Sequence, residues 1–284
     1  MDWSKAKTIL IVALLITNSV LAYFLFFDDI YANSTVDENF LSRTREILLN
    51  KNIEIGTEIP LTTNATYNLA VEYEKYEPLE VNMNFFEGNG IRESTDTTFT
   101  EIYRDNENVT IINDKLLIYE YKGELQDKGI DSIEKARDEA EKFLFERAKI
   151  EPDNNDLELS YSRETDYGFY LEYTKVFDGL YIEQSFTSFR IERGGVRKME
   201  RTWLSINHIE ETNIEIVPAP KAILELISYE QVYNKTILDI SLCYYFDPEK
   251  QDYFGDYQSA TEGKAVPAWR VLFKDGYKII LDIN

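Results

Sequence analysis

The residue types that most often carry catalysis are scarce in this sequence and form no familiar pattern. His208 is the one histidine, so a histidine-cluster metal site is excluded and at most one imidazole is available for a catalytic triad. No G-x-S-x-G elbow, H-E-x-x-H helix, P-loop or G-x-G-x-x-G turn occurs, although these strings are typical of hydrolases, metalloproteases and nucleotide-binding proteins. We therefore interpret His208 as a surface residue.

Carboxylates are abundant, with 52 Asp and Glu against 30 Lys and Arg and a net charge of −22. Two carboxylates suffice for glycoside hydrolysis, but among so many acids a close pair identifies no site. Two acid-rich loops, 153–156 and 247–256, offer oxygen ligands for calcium. Neither has EF-hand spacing, and Asp and Asn also favour ordinary turns. We predict no catalysis, no metal and no cofactor, and the negative charge disfavours nucleic acid.

Aromatic residues supply candidates for an interface. Tyr253, Phe254 and Tyr257 lie among polar residues without strand-like alternation, whereas most other aromatic residues fit alternating strands and are assigned to the core. Aromatic side chains bury a large area at a contact. We predict these three residues as candidates for an extracytoplasmic interface.

The elements that must position these residues begin with an uncharged run of nineteen residues, Ile9 to Phe27. At about 1.5 Å per residue, a helix of this length matches a hydrocarbon core of about 30 Å. Lysines precede the run and aspartates follow it. This arrangement predicts a single-pass protein of the cell membrane, with a cytoplasmic segment 1–8, a transmembrane helix 9–27 and an exported remainder. A cleaved signal peptide is the alternative, but bulky residues after Leu21 favour an uncleaved anchor.

The middle of this predicted span is polar. Thr17 and Asn18 need a bonded partner or water at that depth. Ala13 lies one turn before Thr17, and Ala22 lies one turn after Asn18. We predict that these four residues contact a membrane partner, while the alternative is that the polar groups bond within their own helix.

The exported part is predicted to have an α+β fold. Helices are predicted over 37–50, 131–148 with Asp131 as the N-cap, and 219–229. Strand-like runs are 67–73, 79–86, 98–104, 108–113, 115–122, 237–246 and 265–283, with hairpins turning at Asp178-Gly179 and Gly194-Gly195. This order predicts antiparallel sheets, each packed with helices, in two subdomains at 28–128 and 129–284. Cys243, the one cysteine, is predicted to be buried and inert.

Three features in sequence order carry a resemblance to a known family. They are the N-terminal segment 1–26, the hairpin GGVRKMERTWL at 194–204, and PAWRV at 267–271 followed by a strand. With them, the whole chain resembles the YycI (WalI) proteins, the membrane-anchored regulators of the YycFG (WalKR) two-component system of Gram-positive bacteria.

The resemblance implies a YycH-like exported domain and binding to a YycH-like protein. It also implies regulation of a sensor histidine kinase of the WalK (YycG) type that controls cell-wall metabolism, with no catalysis. Two other classes stay open. One is a binding module for a cell-wall ligand or an inhibitor of an extracytoplasmic protease, and the other is an anchored hydrolase with paired carboxylates.

Overall fold

The computed structural model describes residues 38–61, 66–94, 98–150, 156–214, 216–250 and 260–282, together with Leu14, Thr17 and Asn18. These last three residues are helical and exposed, and the rest of the predicted span 9–27 lies outside the described residues. Within the described ranges, no helix is both long and apolar enough to cross a membrane.

Short helices alternate with strands along the described chain. The helices are α1 (Glu38–Leu49), α2 (Pro78–Phe86), α3 (Ile133–Lys142) and α4 (Ala219–Ala222). A π turn (Phe143–Arg147) continues α3, and 3₁₀ turns cover Ile223–Ser228, Glu230–Val232 and Pro248–Lys250. The strands are β1 (Glu54–Ile55), β2 (Thr66–Tyr73), β3 (Ile91–Ser94), β4 (Phe99–Arg104), β5 (Glu107–Ile112), β6 (Leu116–Tyr121), β7 (Leu157–Thr165), β8 (Gly168–Phe177), β9 (Leu180–Glu192), β10 (Gly195–Thr202), β11 (Leu204–Ile214), β12 (Thr236–Tyr245), β13 (Glu262–Phe273) and β14 (Lys278–Asp282).

These fourteen strands form one mixed sheet. Its main path is β11-β2-β13-β12-β9-β10-β6-β5-β4-β3, while β14 also pairs with β13, β1 with β12, and β8 with both β7 and β9. Strands β1 and β9 run parallel to β12. The predicted fold class is therefore wrong, because the described residues form a single mixed sheet rather than separate antiparallel sheets each packed with helices, and they include no membrane-spanning helix. Parallel pairs join strands far apart in sequence, which local alternation cannot reveal.

Strands from both sides of residue 128 lie in this sheet. Strand β2 pairs with β11 and β13, near the C-terminal end of the chain. Helix α1 packs Leu48 into the same cluster as Ile223 and Trp269. The proposed division into 28–128 and 129–284 stays a prediction.

Local sequence signals explain where helices α2 and α3 lie. The run 79–86, predicted as a strand, is helix α2, because Pro78 suits a first helical turn and Val81 and Phe85, four residues apart, are both buried. Helix α3 is capped by Ser132, whose hydroxyl accepts the N–H of Lys135 at 3.3 Å. The predicted cap, Asp131, instead accepts a hydrogen bond from the Lys135 ammonium at 2.7 Å.

Both predicted hairpins are present, but the second turn lies one residue earlier than predicted. Asp178 and Gly179 join β8 to β9 with φ angles of 51° and 76°, the left-handed values that a two-residue type I′ turn requires. In the second hairpin the two turn residues are Arg193 and Gly194, because Gly195 is already the first residue of β10 and pairs with Glu192.

The sheet contains a buried charged cluster centred on Arg270 of β13. The guanidinium is only 1% exposed, and it lies 2.8 Å from the Glu183 carboxylate of β9 and 2.9 Å from the Asp239 carboxylate of β12. It also lies over the ring of Tyr181, 4.9 Å from the centroid. The buried charge is thus balanced by carboxylates from β12, which pairs with β13, and from β9, the next strand beyond β12.

Lys278 of β14 completes this cluster. Its ammonium donates to Glu183 at 2.9 Å and to Glu172 of β8 at 2.6 Å. Burial disfavours the charged lysine, but the charges of Glu183 and Glu172 outweigh burial and raise the pKa of Lys278. The ion pairs therefore link five strands, β8, β9, β12, β13 and β14.

Replacing Arg270 with methionine should destabilise the fold by about 3 kcal/mol, the low end of the range for breaking a buried ion pair, because the buried Glu183 carboxylate then keeps only one of its two cations, Lys278. Urea denaturation followed by far-UV circular dichroism measures this loss. Arg45→Met, on the exposed side of α1, is the matched control and should change stability by less than about 0.5 kcal/mol. Equal stability of the two variants would contradict a structural role for the cluster.

Candidate functional site

A cleft of about 570 Å³ opens beside helix α3. Its walls come from the start of β5, from β6, the loop 124–128, the C-terminal half of α3 with its π turn, and the start of β10. Its lining includes Glu107, Tyr119, Tyr121, Glu139, Phe143 and Arg147. This volume lies within the range of pockets that hold small ligands, and we call it the α3 cleft.

The π turn at the end of α3 shapes one wall. In this wider turn, the N–H of Ala148 bonds to the carbonyl of Phe143, five residues back, at 2.9 Å. The Phe143 ring then lies 4.7 Å from the Tyr119 ring, and Arg147 reaches across to β5. Single π turns occur often at functional sites, so this wall of the cleft is a candidate part of a functional site.

Glu107 at the start of β5 is held from two sides. Arg147 donates to its two carboxylate oxygens at 2.9 and 2.7 Å, and the Tyr119 hydroxyl donates to it at 2.9 Å. Burial, together with the negative charge of Glu107, raises the pKa of Tyr119. Tyr119 is therefore a fixed hydrogen-bond donor rather than a base.

A second ion pair lies at the rim of the cleft, where the Lys128 side chain is 58% exposed, and it depends on a glycine. Lys128 donates to Glu139 at 2.8 Å. Gly195, with φ of +132°, lies directly below them, and a Cβ there would approach the Glu139 carboxylate to 3.1 Å and the Lys128 ammonium to 3.2 Å. Only glycine fits this backbone conformation and this space without displacing the pair.

Arg197 of β10 fixes the loop that closes the cleft. Its guanidinium donates to both oxygens of Glu192, at 2.7 and 2.8 Å, and to the carbonyls of Tyr121 and Gly123, at 2.6 and 2.8 Å. The hydrogen bonds from Arg197 lower the pKa of Glu192, with a smaller contribution from its charge. The cleft is thus preformed.

The chemistry available in the α3 cleft suits reversible binding. Arg147 and Lys128 are each paired with a carboxylate of the protein itself, and Tyr119 keeps its proton. Aromatic rings and paired charges can hold a ligand by apolar contact and hydrogen bonds.

A close pair of carboxylates also lies outside the cleft. Glu172 and Glu183 share the Lys278 ammonium, but both are buried, at 8% and 4% exposure. A sugar could not reach them without opening the sheet. Within the described ranges, no three His, Cys, Asp or Glu side chains converge on a metal position. Most of the two acid-rich loops, 153–156 and 247–256, lies outside those ranges.

The structure places few of the predicted site residues. Thr17 and Asn18 are exposed helical residues, while Ala13 and Ala22 lie outside the described residues. So do Tyr253, Phe254 and Tyr257.

The lone histidine and the lone cysteine are both described. His208 is exposed on β11, at a shift in register with β2. Cys243 is buried on β12, as predicted, and burial raises its thiol pKa. Neither residue borders the α3 cleft.

The residues of the α3 cleft were missed because they converge from five separate segments. Glu107, Tyr119, Phe143 and Gly195 are spread over almost ninety residues of sequence, and no local motif joins them. The one available signal was the glycine pair of the 194–204 hairpin, which pointed to a tight backbone approach.

Comparisons with known proteins bear on the fold. No protein-family model matches the chain, and no curated protein does. Among solved structures, the chain is similar to an uncharacterized protein from Eubacterium rectale, with a TM-score of 0.50 and 12% identity over 86% of this chain and 94% of that one. It also aligns with the C-terminal domain of Bacillus megaterium YpeB, with a TM-score of 0.34 and 12% identity over 88% and 94%.

At this level of identity, the first likeness shows a related fold and nothing about activity. The second is too distant to carry an argument. The resemblance to YycI rests on the sequence features alone.

Glu192→Gln should reduce the loss in free energy of unfolding that the protein undergoes at acid pH. Because Arg197 holds the pKa of Glu192 below its ordinary value of 4.5, the stabilisation is complete above that value and is lost as the pH falls through the lower folded-state pKa. Between about pH 5 and pH 3, the parent protein should therefore lose more free energy of unfolding than the variant. Urea denaturation across a pH series measures both.

The matched control is Glu124→Gln, on the exposed rim of the same cleft, which should keep the parental slope. Parallel acid profiles for the parent and Glu192→Gln would show that the Arg197 contact stabilises nothing.

Proposed function

We propose that this protein is a non-catalytic accessory regulator at the cell membrane. In this proposal it binds a YycH-like partner and modulates a sensor histidine kinase of the WalK type that controls cell-wall metabolism. The observation that supports it most is the α3 cleft, a preformed recess in which Arg147 and Lys128 are already neutralised by Glu107 and Glu139. Such a recess favours binding of a partner or ligand over catalysis.

The location is part of the same proposal. The uncharged run 9–27, with lysines before it and aspartates after it, supports attachment to the membrane with the acidic remainder outside. A net charge of −22 keeps an exported protein soluble and repels nucleic acid and anionic lipid.

Regulation of this kind requires only modest energies. A bound accessory protein shifts a kinase between two states by the difference in its affinity for them. Couplings between sites are commonly about 1–3 kcal/mol. A few contacts at Thr17 and Asn18 are enough to supply that difference.

Co-purification from membranes tests this function. The full chain, carrying an affinity tag, should retain both the YycH-like protein and the kinase. Asn18→Leu should reduce kinase recovery several-fold, because it removes one polar contact of about 1 kcal/mol, and should leave the melting temperature of the exported part unchanged. Leu15→Val, within the same run, is the control. Parental recovery and unchanged expression of the kinase's target genes in Asn18→Leu would contradict the proposed contact.

A second candidate function is favoured by the size and aromatic walls of the α3 cleft. It is a binding module for a cell-wall fragment, in which Tyr121 and Phe143 pack against the ligand.

Titration with N-acetylglucosaminyl-N-acetylmuramyl dipeptide, followed by calorimetry, separates the two functions. If the cleft binds this fragment, Tyr121→Ala should weaken binding about tenfold through loss of one ring contact. Tyr167→Ala, on a hairpin tip with 80% exposure, should not. If titration of the parent protein with the fragment released or absorbed no heat of binding, this second candidate function would be excluded.

A further inference from the structure

Helix α2 exposes two large apolar side chains on one side. Leu79 and Met83 are 75% and 60% exposed, and they lie four residues apart, so they share a face. The opposite side of the helix is buried through Val81 and Phe85. The exposure of Leu79 and Met83 is therefore not required by the packing of the helix.

This face is held rigidly. The N–H groups of Glu87 and Gly88 bond to the carbonyls of Met83 and Asn82, each at 3.1 Å, and close the end of the helix. The Asn82 side chain donates to the carbonyl of Gly90 at 3.0 Å and accepts its N–H at 2.9 Å. A surface fixed in this way loses little conformational entropy when it binds.

Acidic side chains border the apolar pair. Glu80 lies three residues before Met83 and Glu87 four residues after it, and both are exposed. Among the described residues, no Lys or Arg forms an ion pair with either carboxylate, in contrast to Glu107 and Glu139 of the α3 cleft. We call Leu79, Glu80, Met83 and Glu87 the α2 face.

The charge of the α2 face selects among possible occupants. A second copy of the chain would bring another net charge of −22 against it, and an anionic lipid surface would be repelled in the same way. A segment that combines apolar side chains with Lys or Arg complements both the apolar pair and the acids around it.

We propose that the α2 face docks a basic amphipathic segment of a partner protein. Apolar side chains of that segment cover Leu79 and Met83, and its cations pair with Glu80 and Glu87. This inference rests on the proposed function, since it supplies a contact surface for a regulator that acts by binding. The surface is separate from the α3 cleft and from the predicted contacts at Thr17 and Asn18.

The methionines provide the experiment, because the chain has only three. The full chain, labelled with ¹³C at its methionine methyl groups and held in zwitterionic nanodiscs, is titrated with a synthetic peptide of about eight residues containing Lys and Leu in an amphipathic pattern. The Met83 methyl signal should shift saturably. The Met199 methyl group, which is fully buried, should not shift. A peptide with Glu in place of Lys should give no shift.

Leu79→Asp distinguishes docking from simple charge attraction. It adds a negative charge, which would strengthen attraction alone, yet it removes an apolar contact and should weaken docking about tenfold. Leu238→Asp, at a 48% exposed position on β12, makes the same charge change elsewhere and should leave the affinity unchanged or slightly higher. Circular dichroism confirms that both variants are folded.

An unmoved Met83 signal, equal shifts with the acidic peptide, or equal affinities of Leu79→Asp and Leu238→Asp would overturn the docking surface. Failure of the co-purification experiment with a positive titration would instead refute the regulatory function. The two outcomes are distinguishable because they use different readouts.

Discussion

The charge of Arg270 is the constraint on which the rest of the sheet depends. A guanidinium that is 1% exposed must be neutralised where it lies, because a buried unpaired charge costs several kcal/mol. The neutralising carboxylates come from β9 and β12, and Lys278 of β14 brings in β8. A buried ion pair does not always add stability, but a shift in register of any of these strands would separate the charges that it pairs. The cluster thus ties the observed pairing of five strands to a few side chains.

This arrangement explains how one strand serves two parts of the molecule. Strand β9 runs beside β12 through residues 181–183 and beside β10 through residues 186–192. Between these stretches, the register with β8 shifts, and Gln184 adopts a φ of 73°, as in a β-bulge. Glu183 lies at this shift and points to Arg270. The bulge therefore turns β9 from the charged cluster toward the strands that support helices α2 and α3.

Features encoded by neighbouring residues were predictable from the sequence. The turn at Asp178-Gly179 follows from the demand for left-handed backbone conformations, and helix α3 follows from the spacing of Ala136 and Ala140. The run 79–86 was misassigned because alternating and helical patterns overlap over eight residues, and burial on the sheet decided between them. The parallel pairs of β12 and the ion pairs of the α3 cleft join distant segments, so a single sequence carries no local signal for them.

The π turn Phe143–Arg147 has a consequence for related sequences. A π turn holds one residue more than an α turn, so deletion of a single residue would rotate the chain beyond it by about 100°. Arg147 would then face away from Glu107, although every residue type was retained. The Arg147–Glu107 pair of the α3 cleft is in this sense a matter of helix phase, and relatives that lack one residue in this segment would lack that pair.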